Sequence, residues 1–497
     1  MLKIGWSRKD ISVEGPIAIT GQFHQRISKG ILDPNTLTAL VIDGGSDMTI
    51  MVSADLVGLG DEIIFEIRDA VRQKNPEIPA EKILMNATHT HTSPRFARKT
   101  AYDKAPSNGI EIINPLDYRV FFVNQASDAV IEAYESRAEG SYSYGYGYAV
   151  VAHHRRPTYL DDLRTRGDSK YPPSLMVDKY ARMYGKTNDP MFNEYEGNVD
   201  SSVYLLFTFD KDEKLTGAIV NVPCPAQLSE GEYVLSASYW HEFRELIKET
   251  YGDIYILPQS SAAGDMSPRA LHAKPSRKRM YRLKYGDEQI PNIIDIHEIF
   301  ERREIAGRIK FAFDDAYSWA SKEKIKEAKI EHRVVNMELD AWKITEEQYK
   351  AAKEEYEFYS KQEFVNTGDK MADYKKNTSH GSVLGRYEAI INRYLNNSDY
   401  KTAEIHVVRI GDIAFASNPF ELYVAFQHRI QARSPFIQTF IVQLAASTDA
   451  PGGYLCTERA AENMGYSANI YSCQVSPKGG TKLVEETLKE LCELYDK

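Results

Sequence analysis

Short, mostly continuous apolar segments recur along the chain and alternate with segments of helical periodicity. The apolar segments are 38–43 (TALVID), 48–55 (MTIMVSAD), 83–87 (ILMNA), 218–224 (AIVNVPC) and 254–258 (IYILP). Runs without polar alternation are typical of strands that are covered on both faces. Strands of this kind separated by helices favour an α/β fold. We therefore expect one large mixed sheet flanked by helices.

The intervening segments predict helices, and the end of the chain returns to the strand pattern. In 61–74, four apolar residues recur at helical spacing, and 236–252 begins with a serine-rich cap and ends at a glycine. Near the C-terminus, 404–422 predicts two strands joined by a Gly-Asp turn, and 436–445 predicts a further strand. The last segment, TKLVEETLKELCELY, predicts an amphipathic helix.

The middle of the chain has a different composition. Residues 296–362 are rich in Glu, Lys and Arg, with long helical stretches on either side of 326–340, which alternates like a half-exposed strand. We expect 275–400 to be a mainly helical elaboration that covers one side of the site, with its charges on a solvated face. The sequence shows no repeat of 20–50 residues and no low-complexity linker, so 1–497 is expected to form one domain.

The composition is that of an acidic globular protein. Of the 497 residues, 42% are hydrophobic and 27% are charged, which allows a sizeable core. The net charge of −10 argues against a nucleic-acid partner and gives no reason to expect docking on an anionic membrane. The partner that we expect is a small-molecule substrate. The sequence contains no long apolar run that would predict a membrane span or a secretory signal. Together with four scattered cysteines, this predicts a cytoplasmic protein, whose oligomeric state stays open.

The segment 84–94 (LMNATHTHTSP) joins the end of a predicted strand to two histidines. Side chains alternate in an extended chain, so His89 and His91 are expected to point the same way. Two imidazoles at this spacing allow three interpretations. Both bind one metal ion, one binds a metal while the other carries a proton, or the two form a hydrogen-bonded structural pair. The triplet alone leaves these interpretations open.

Three further motifs follow predicted strands, where ligands gather in α/β sheets. The small-residue loop 259–269 (QSSAAGDMSPR) presents Asp265 and Ser267. In SNPFEL, Glu421 follows a proline turn. In APGGYLCTERAAENMGY, a glycine pair delivers Tyr454 and Tyr466 onto a loop. Each motif is weak by itself, and their shared placement predicts a common cleft.

Taken together and in order, these motifs resemble the neutral/alkaline non-lysosomal ceramidase family over nearly the whole chain. The matching stretches are GWSRKDIS, SADLVGL, NATHTHTSP, HRRP, AAGDMSPR, SNPFEL and GGYLCTERAAENMGY. Members with the secreted layout carry an additional C-terminal immunoglobulin-like domain. This chain is expected to comprise the ceramidase-like catalytic domain alone.

The resemblance implies a zinc site and a set of catalytic side chains around it. It makes His89, Glu421 and Tyr454 zinc ligands. It makes Arg155 a residue that neutralises developing negative charge and His91 a polar partner of the substrate or the reacting oxygen.

The small-residue loop supplies further candidate catalytic residues. Ser267 matches the serine that the family uses as a nucleophile or an essential polar group. Asp265 precedes it in the same loop, and Tyr466 belongs to the last matching motif. All three are expected to lie close to the reacting atoms.

One position departs from the family pattern. The family places a second zinc histidine just after the strand that here reads AIVNVPC, and this chain has Pro225 there. Because proline cannot bind a metal, three alternatives follow. Gln227 or His241 takes the place of the histidine, the site holds a different or weaker metal set, or the chain is no longer a zinc enzyme.

The sequence therefore predicts a zinc-dependent hydrolase that attacks an amide or ester carbonyl with metal-activated water or serine. N-acylsphingosine is the type substrate of the family. Because we expect a cytoplasmic protein with an altered metal site, we expect a soluble, polar substrate instead. The alternatives are a hydrolase of a carbohydrate or glycosidic substrate and a non-catalytic small-molecule-binding homologue that has lost the metal.

Overall fold

The largest element of the protein is an eight-stranded mixed sheet. The computed structural model describes residues 1–60, 62–97, 100–167, 178–291, 293–447 and 452–496. The strands of this sheet, numbered in chain order and given in spatial order, are Tyr255–Ser260 (β13), Leu215–Val222 (β12), Ser202–Asp210 (β11), Ala138–Tyr148 (β7), Leu2–Asp10 (β1), Thr36–Asp43 (β4), Met48–Ala54 (β5) and Ile83–Ala87 (β6). The end pairs β12–β13 and β5–β6 are parallel, and the other neighbours are antiparallel. The mixed sheet confirms the predicted fold class.

A second sheet of four strands packs against one face of the first. Its strands, in spatial order, are Ile330–Asp340 (β15), Tyr400–Ile410 (β16), Ile413–Ser417 (β17) and Gln438–Val442 (β19). The layer between the two sheets buries apolar side chains from both, such as Leu40 and Met51 of the first and Phe415 and Phe440 of the second. Phe415 and Phe440 stack with their ring centroids 4.3 Å apart. Both sheets are therefore covered on this face, as the apolar strand segments predict.

Helices cover the outer faces of both sheets. Their bounds are Ile63–Lys74 (α1), Pro115–Glu135 (α2), Tyr239–Tyr251 (α3), Lys274–Tyr285 (α4), Ile296–Ala320 (α5), Glu346–Ser360 (α6), Lys370–Asn396 (α7), Val424–Arg433 (α8), Glu458–Asn463 (α9) and Pro477–Tyr495 (α10). The helices α1, α2, α3 and α5 pack on the eight-stranded sheet, and α8 and α10 pack on the four-stranded sheet. Short 3₁₀ helices occupy Ala80–Lys82, Ala101–Lys104 and Leu163–Arg166.

Very short strands pair the loops at one end of the sheets. They are Ala18–Ile19 (β2), Arg26–Ile27 (β3), His153–His154 (β8), Pro157–Tyr159 (β9), Phe192–Tyr195 (β10), Met266–Ser267 (β14), Glu421–Leu422 (β18) and Tyr454–Leu455 (β20). The pairs β2–β3, β9–β10 and β8–β14 are antiparallel, and β18–β20 is parallel. These pairs hold the motif-bearing loops in fixed positions relative to one another.

The segment 275–400 is mainly helical, and parts of it belong to the core. The strand β15 is an edge strand of the four-stranded sheet, and α5 buries Ile305, Ile309 and Phe313 in the core beside the eight-stranded sheet. None of the helices that the structure describes is both long and apolar enough to cross a membrane.

Candidate active site

A cavity of about 440 Å³ lies beyond the carboxyl ends of β5 and β6. Three of the four motifs that follow strands contribute residues to its wall, whereas the 259–269 loop, which the structure describes throughout, contributes none. Seven of the ten candidate residues line this cavity: His89, His91, Arg155, Gln227, Glu421, Tyr454 and Tyr466. Gly21 of the N-terminal loop also lines it and packs on the ring of His91, where a Cβ atom would lie 2.5 Å from Cγ of His91.

His89 enters the cavity from a strained backbone. Its φ of 65° lies in the left-handed region, which costs a residue other than glycine of order 1–3 kcal/mol. Nδ1 of His89 lies 2.6 Å from the main-chain oxygen of Val57. A carbonyl oxygen can only accept, so the ring proton is on Nδ1 and, in the neutral ring, Nε2 carries a lone pair.

Glu421 and Tyr454 are held side by side by the parallel pair β18–β20, in which they are directly opposite each other. Tyr454 N donates to Ser472 O at 3.0 Å. The preceding Gly453 has a φ of 77°, and a Cβ atom there would lie 2.3 Å from the same oxygen, so a glycine is needed. Oε2 of Glu421 lies 3.3 Å from Nε2 of His89. Three predicted zinc ligands therefore share one wall of the cavity.

The electrostatics of this wall favour an ionised Glu421. Burial alone would raise the pKa of its carboxyl group, but His89, Arg155 and the hydroxyl of Tyr454 hold that pKa below its usual value. Burial, with Glu421 nearby, raises the pKa of Tyr466 to about 12. The carboxylate thus lies among neutral phenols and one guanidinium group.

Arg155 is positioned by the small-residue loop. Its Nη2 donates to Gly264 O at 2.6 Å, and its main-chain N donates to Asp265 O at 3.0 Å. The guanidinium carbon lies 5.1 Å from the centroid of the Tyr454 ring. Among the described residues, Nε of Arg155 has no hydrogen-bond partner. Burial opposes the charge of Arg155, but Tyr454, Tyr184 and Glu421 raise its pKa well above the usual value.

Asp265 and Ser267 lie behind the cavity wall. Oδ1 of Asp265 accepts from Val424 N at 3.0 Å, and Oδ2 lies 3.4 Å from Nε2 of His154. Oγ of Ser267 accepts from Arg269 N at 3.1 Å, and Ser267 is fully buried in the β8–β14 pair. Neither is among the described residues that line the cavity. Their contacts position the loop and, through it, Arg155.

His91 faces a group that includes Gln227 and a carboxylate that the sequence motifs did not indicate. Nε2 of His91 lies 3.3 Å from Nε2 of His89 and 3.2 Å from Nε2 of Gln227. Nδ1 of His91 lies 3.0 Å from Oε2 of Glu230, at an angle outside the usual range for a hydrogen bond. Burial raises the pKa of Glu230, but Arg269 and His91 outweigh burial and lower it to about 2.

His241 is not brought together with the other candidates. It lies on α3 and lines a separate cavity of about 970 Å³, beside Glu242 and Glu245. Gln227 is the nearer of the two replacements considered for the missing histidine. It is placed by a tight turn in which its main-chain N donates to Pro225 O at 2.8 Å.

The donor set has the chemistry of a zinc site, although the side chains approach one another only in pairs. Among the residues that the structure describes, no group of three or more His, Cys, Asp or Glu side chains is arranged to hold a metal ion. Zinc binds imidazole nitrogen and carboxylate oxygen. The lone pair of His89 Nε2, directed by the Val57 contact, and the ionised Glu421 supply both kinds of donor. The kinds of donor present therefore suit the metal that the motifs imply.

The helix α7 reaches the rim of the cavity. The guanidinium carbon of Arg386 lies 4.5 Å from the centroid of the Phe23 ring, and Phe23 lines the cavity. Thr378 of the same helix accepts a hydrogen bond from Gln25 N. The mainly helical segment thus supports one side of the site through the N-terminal loop.

Comparison with solved structures agrees with this architecture. The sequence matches no protein-family model and no curated protein. The structure is similar to that of the neutral ceramidase from Pseudomonas aeruginosa, with a TM-score of 0.66 and 15% identity over 100% of this chain and 74% of that chain. It is also similar to a ceramidase complexed with C2, with a TM-score of 0.64 and 14% identity over 100% of this chain and 75% of that chain. The chain therefore has the fold of the neutral ceramidases.

Proposed function

We propose that the protein is a zinc-dependent hydrolase that cleaves an amide or ester bond in the cavity described above. One observation carries the proposal: His89 and Glu421, from distant parts of the chain, bring a ring nitrogen and a carboxylate oxygen within 3.3 Å of each other at the wall of one cavity. Tyr454 and Arg155 line the same cavity. A nitrogen donor, a carboxylate and a cation are the groups that carbonyl hydrolysis requires.

Each of these residues has a role that its contacts support. His89, Glu421 and Tyr454 would hold zinc, which supplies Lewis-acid polarisation of a carbonyl and acidifies water when it is bound. Arg155 would stabilise the negative charge that develops on the carbonyl oxygen, because its Nε is buried without a partner among the described residues. Its two contacts with the small-residue loop hold it in place without neutralising its charge.

We propose water rather than Ser267 as the nucleophile. Ser267 is fully buried and its Oγ accepts from the backbone of Arg269. A serine nucleophile needs a neighbouring base and access to the substrate. A supporting role, in which Ser267 and Asp265 fix the loop that positions Arg155, agrees better with these contacts.

The surroundings of the cavity support a polar substrate. A second cavity of about 610 Å³ shares Phe23, Met183, Tyr184 and Tyr466 with the first, and its wall also includes charged side chains. These charged residues are Arg166, Asp178, Arg182, Lys186 and Asp189. A small N-acylated or esterified molecule with charged or hydroxyl groups fits such a wall better than a long alkyl chain. Action in the cytoplasm remains a prediction from the sequence.

Hydrolysis by the purified full chain tests this proposal. The zinc-loaded and the chelator-treated protein would be assayed with 4-nitrophenyl acetate, a panel of N-acetylated amino acids and amino sugars, and a short-chain N-acylsphingosine. The proposal expects hydrolysis of at least one ester or amide that the chelator abolishes and zinc restores. Hydrolysis that persists after removal of the metal would contradict it.

The alternative is a non-catalytic homologue that binds a small molecule without a metal. The absence of a preformed cluster of three ligands among the described residues favours this alternative. Full-length protein that binds no zinc, hydrolyses none of these substrates and still binds one of them in calorimetry would support it.

A further inference from the structure

His89 and His91, the two histidines of the THTH motif, each present Nε2 to the cavity. Nδ1 of His89 lies 2.6 Å from Val57 O, and Nδ1 of His91 lies 3.0 Å from Oε2 of Glu230. A carbonyl oxygen and an ionised carboxylate can only accept hydrogen bonds. The Val57 contact places the ring proton of His89 on Nδ1. The amide nitrogen of Gln227 can only donate and lies 3.2 Å from Nε2 of His91, so each Nε2 carries a lone pair when the rings are neutral.

These lone pairs create a shortage of donors at the centre of the cavity. Nε2 of His89 lies 3.3 Å from Nε2 of His91 and 3.3 Å from Oε2 of Glu421. A single proton on Nε2 of His89 satisfies only one of these two contacts, whereas a cation between the atoms satisfies both. The amide of Gln227, 3.2 Å from Nε2 of His91, supplies a donor to His91 only.

The two separations from Nε2 of His89 suit a tetrahedral ion. Two ligand atoms that are each 2.0–2.1 Å from a tetrahedral zinc lie about 3.3 Å apart. Both contacts of His89 Nε2 have this length. In metal sites, a ligating histidine almost always donates its other ring N–H to a carbonyl or a carboxylate. His89 makes such a contact with Val57, and the carboxylate of Glu230 lies beside the corresponding nitrogen of His91.

We propose that His91 is itself a zinc ligand in this chain and that Glu230 is the residue that positions it. His91 thereby replaces the histidine whose expected place is occupied by Pro225. The inference rests on the proposed metal site, but it changes the ligand set from one imidazole to two. It also takes His91 out of the role of substrate partner that the resemblance implies.

Glu230 is held firmly enough to act in this way. Its Oε1 lies 2.8 Å from Nη1 of Arg269, and Nη2 of Arg269 lies 2.6 Å from Oε1 of Glu298. Nη2 of Arg269 also donates to Gln227 O at 3.1 Å, which fixes the loop that carries both residues. On the other side, the buried Arg26 donates to the main-chain oxygen of His91. A buried arginine thus holds the backbone of His91, and Glu230 lies beside its ring.

Zinc binding measured without substrate tests the inference. Calorimetric titration of ZnCl₂ into the chelator-treated full chain would compare the wild type with His91→Ala and Glu230→Gln. His297→Ala is the matched control, because its side chain is 46% exposed and outside the cavity wall. We expect His91→Ala to weaken zinc binding at least about 100-fold and Glu230→Gln to weaken it about 10–100-fold, with the control unchanged.

A measurement on the wild type guards against variants that do not fold. Crystals soaked in ZnCl₂ would show anomalous density within about 2.0–2.1 Å of Nε2 of His91. Zinc bound by His89, Glu421 and Tyr454 with His91 out of reach would overturn the inference. Unchanged affinity in a folded His91→Ala variant, or a wild type that binds no zinc, would also overturn it. Zinc bound through His91 by a protein that hydrolyses nothing would instead contradict only the proposed function.

Discussion

Gly264 approaches Glu421 so closely that a Cβ atom on residue 264 would lie 2.3 Å from the main-chain oxygen of Glu421. The contact joins two loops, because Gly264 N also donates to Leu422 O at 2.8 Å. The oxygen of Gly264 accepts from Arg155 on its other side. One glycine thus sets the relative position of the carboxylate and the guanidinium group.

Substitution of this glycine tests that relationship. Gly264→Ala forces backbone to move and is expected to destabilise the protein by about 1–3 kcal/mol and to weaken zinc binding. Gly307→Ala is the control, since Gly307 lies inside α5 and a Cβ atom there meets nothing within 4 Å. That change should stabilise the protein by about 0.5–1 kcal/mol. Urea unfolding of both variants checks the pair, and equal effects would refute the steric argument.

The neighbouring arginines Arg155 and Arg156 are expected to respond differently to substitution. Arg155→Lys keeps a charge but loses the planar contacts, so kcat/KM should fall about 100–1,000-fold with little change in Tm. Arg156 is fully buried, and its Nε lies 2.6 Å from Oε2 of Glu196. Arg156→Met leaves that carboxylate unpaired and should cost about 3–5 kcal/mol of stability. Steady-state kinetics and urea unfolding separate the two outcomes, and loss of folding in Arg155→Lys would argue for a structural role.

A buried ion pair away from the cavity predicts a pH dependence of stability. Oε1 of Glu404 lies 2.7 Å from Nη2 of Arg68 and 3.1 Å from Nε2 of His406. Burial raises the pKa of Glu404, but His406 and Arg68 lower it to about 2, from an ordinary value of 4.5. A depressed folded-state pKa stabilises the protein above about pH 4.5, and this contribution is lost as the pH falls towards 2.

Glu404→Gln should therefore lower the free energy of unfolding by about 3–5 kcal/mol at pH 7. The difference in unfolding free energy between this variant and the wild type should shrink as the pH falls below 4.5. Glu485→Gln removes the exposed partner of Arg433 and should leave the unfolding free energy nearly unchanged. Urea unfolding between pH 3 and 7 measures both. A Glu404→Gln effect that is constant over this range would contradict the assignment.

The two replacements considered for the missing histidine are now expected to behave differently. His241 lines another cavity, so His241→Ala should leave the zinc content unchanged. Gln227 contacts His91, so Gln227→Ala should weaken zinc binding modestly through the orientation of that ring. Elemental analysis of both purified variants checks this, and loss of zinc in His241→Ala would contradict the geometry.

Much of the sheet could be predicted because its strands are apolar on both faces. The segments 83–87 and 48–55 match β6 and β5 closely, since both lie buried in the large sheet. The central strand β7 was not predicted as such, because glycines interrupt its pattern. Its Gly145 and Gly147 pack against α5, where a Cβ atom would lie 2.6 Å from Trp319 and from Ala312 respectively. Such contacts between distant segments are invisible in local periodicity.

The same limit applies to the site. His89, Glu421 and Tyr454 could be proposed because each sits in a recognisable motif after a strand. Glu230 was missed, since its approach to His91 depends on how Arg269 holds the loop after β12. The sequence does place Glu230 shortly after Pro225, which occupies the position of the expected histidine. Without the fold, however, nothing distinguished Glu230 from a surface glutamate.

The central claim is that His89 and Glu421 form a zinc site, and metal content tests it most directly. The wild type, His89→Ala and Glu421→Ala would be purified, equilibrated with zinc, dialysed and measured by elemental analysis. The account predicts about one zinc ion per chain in the wild type and a large loss in both folded variants. A wild type without zinc, or variants that retain it fully, would contradict the account.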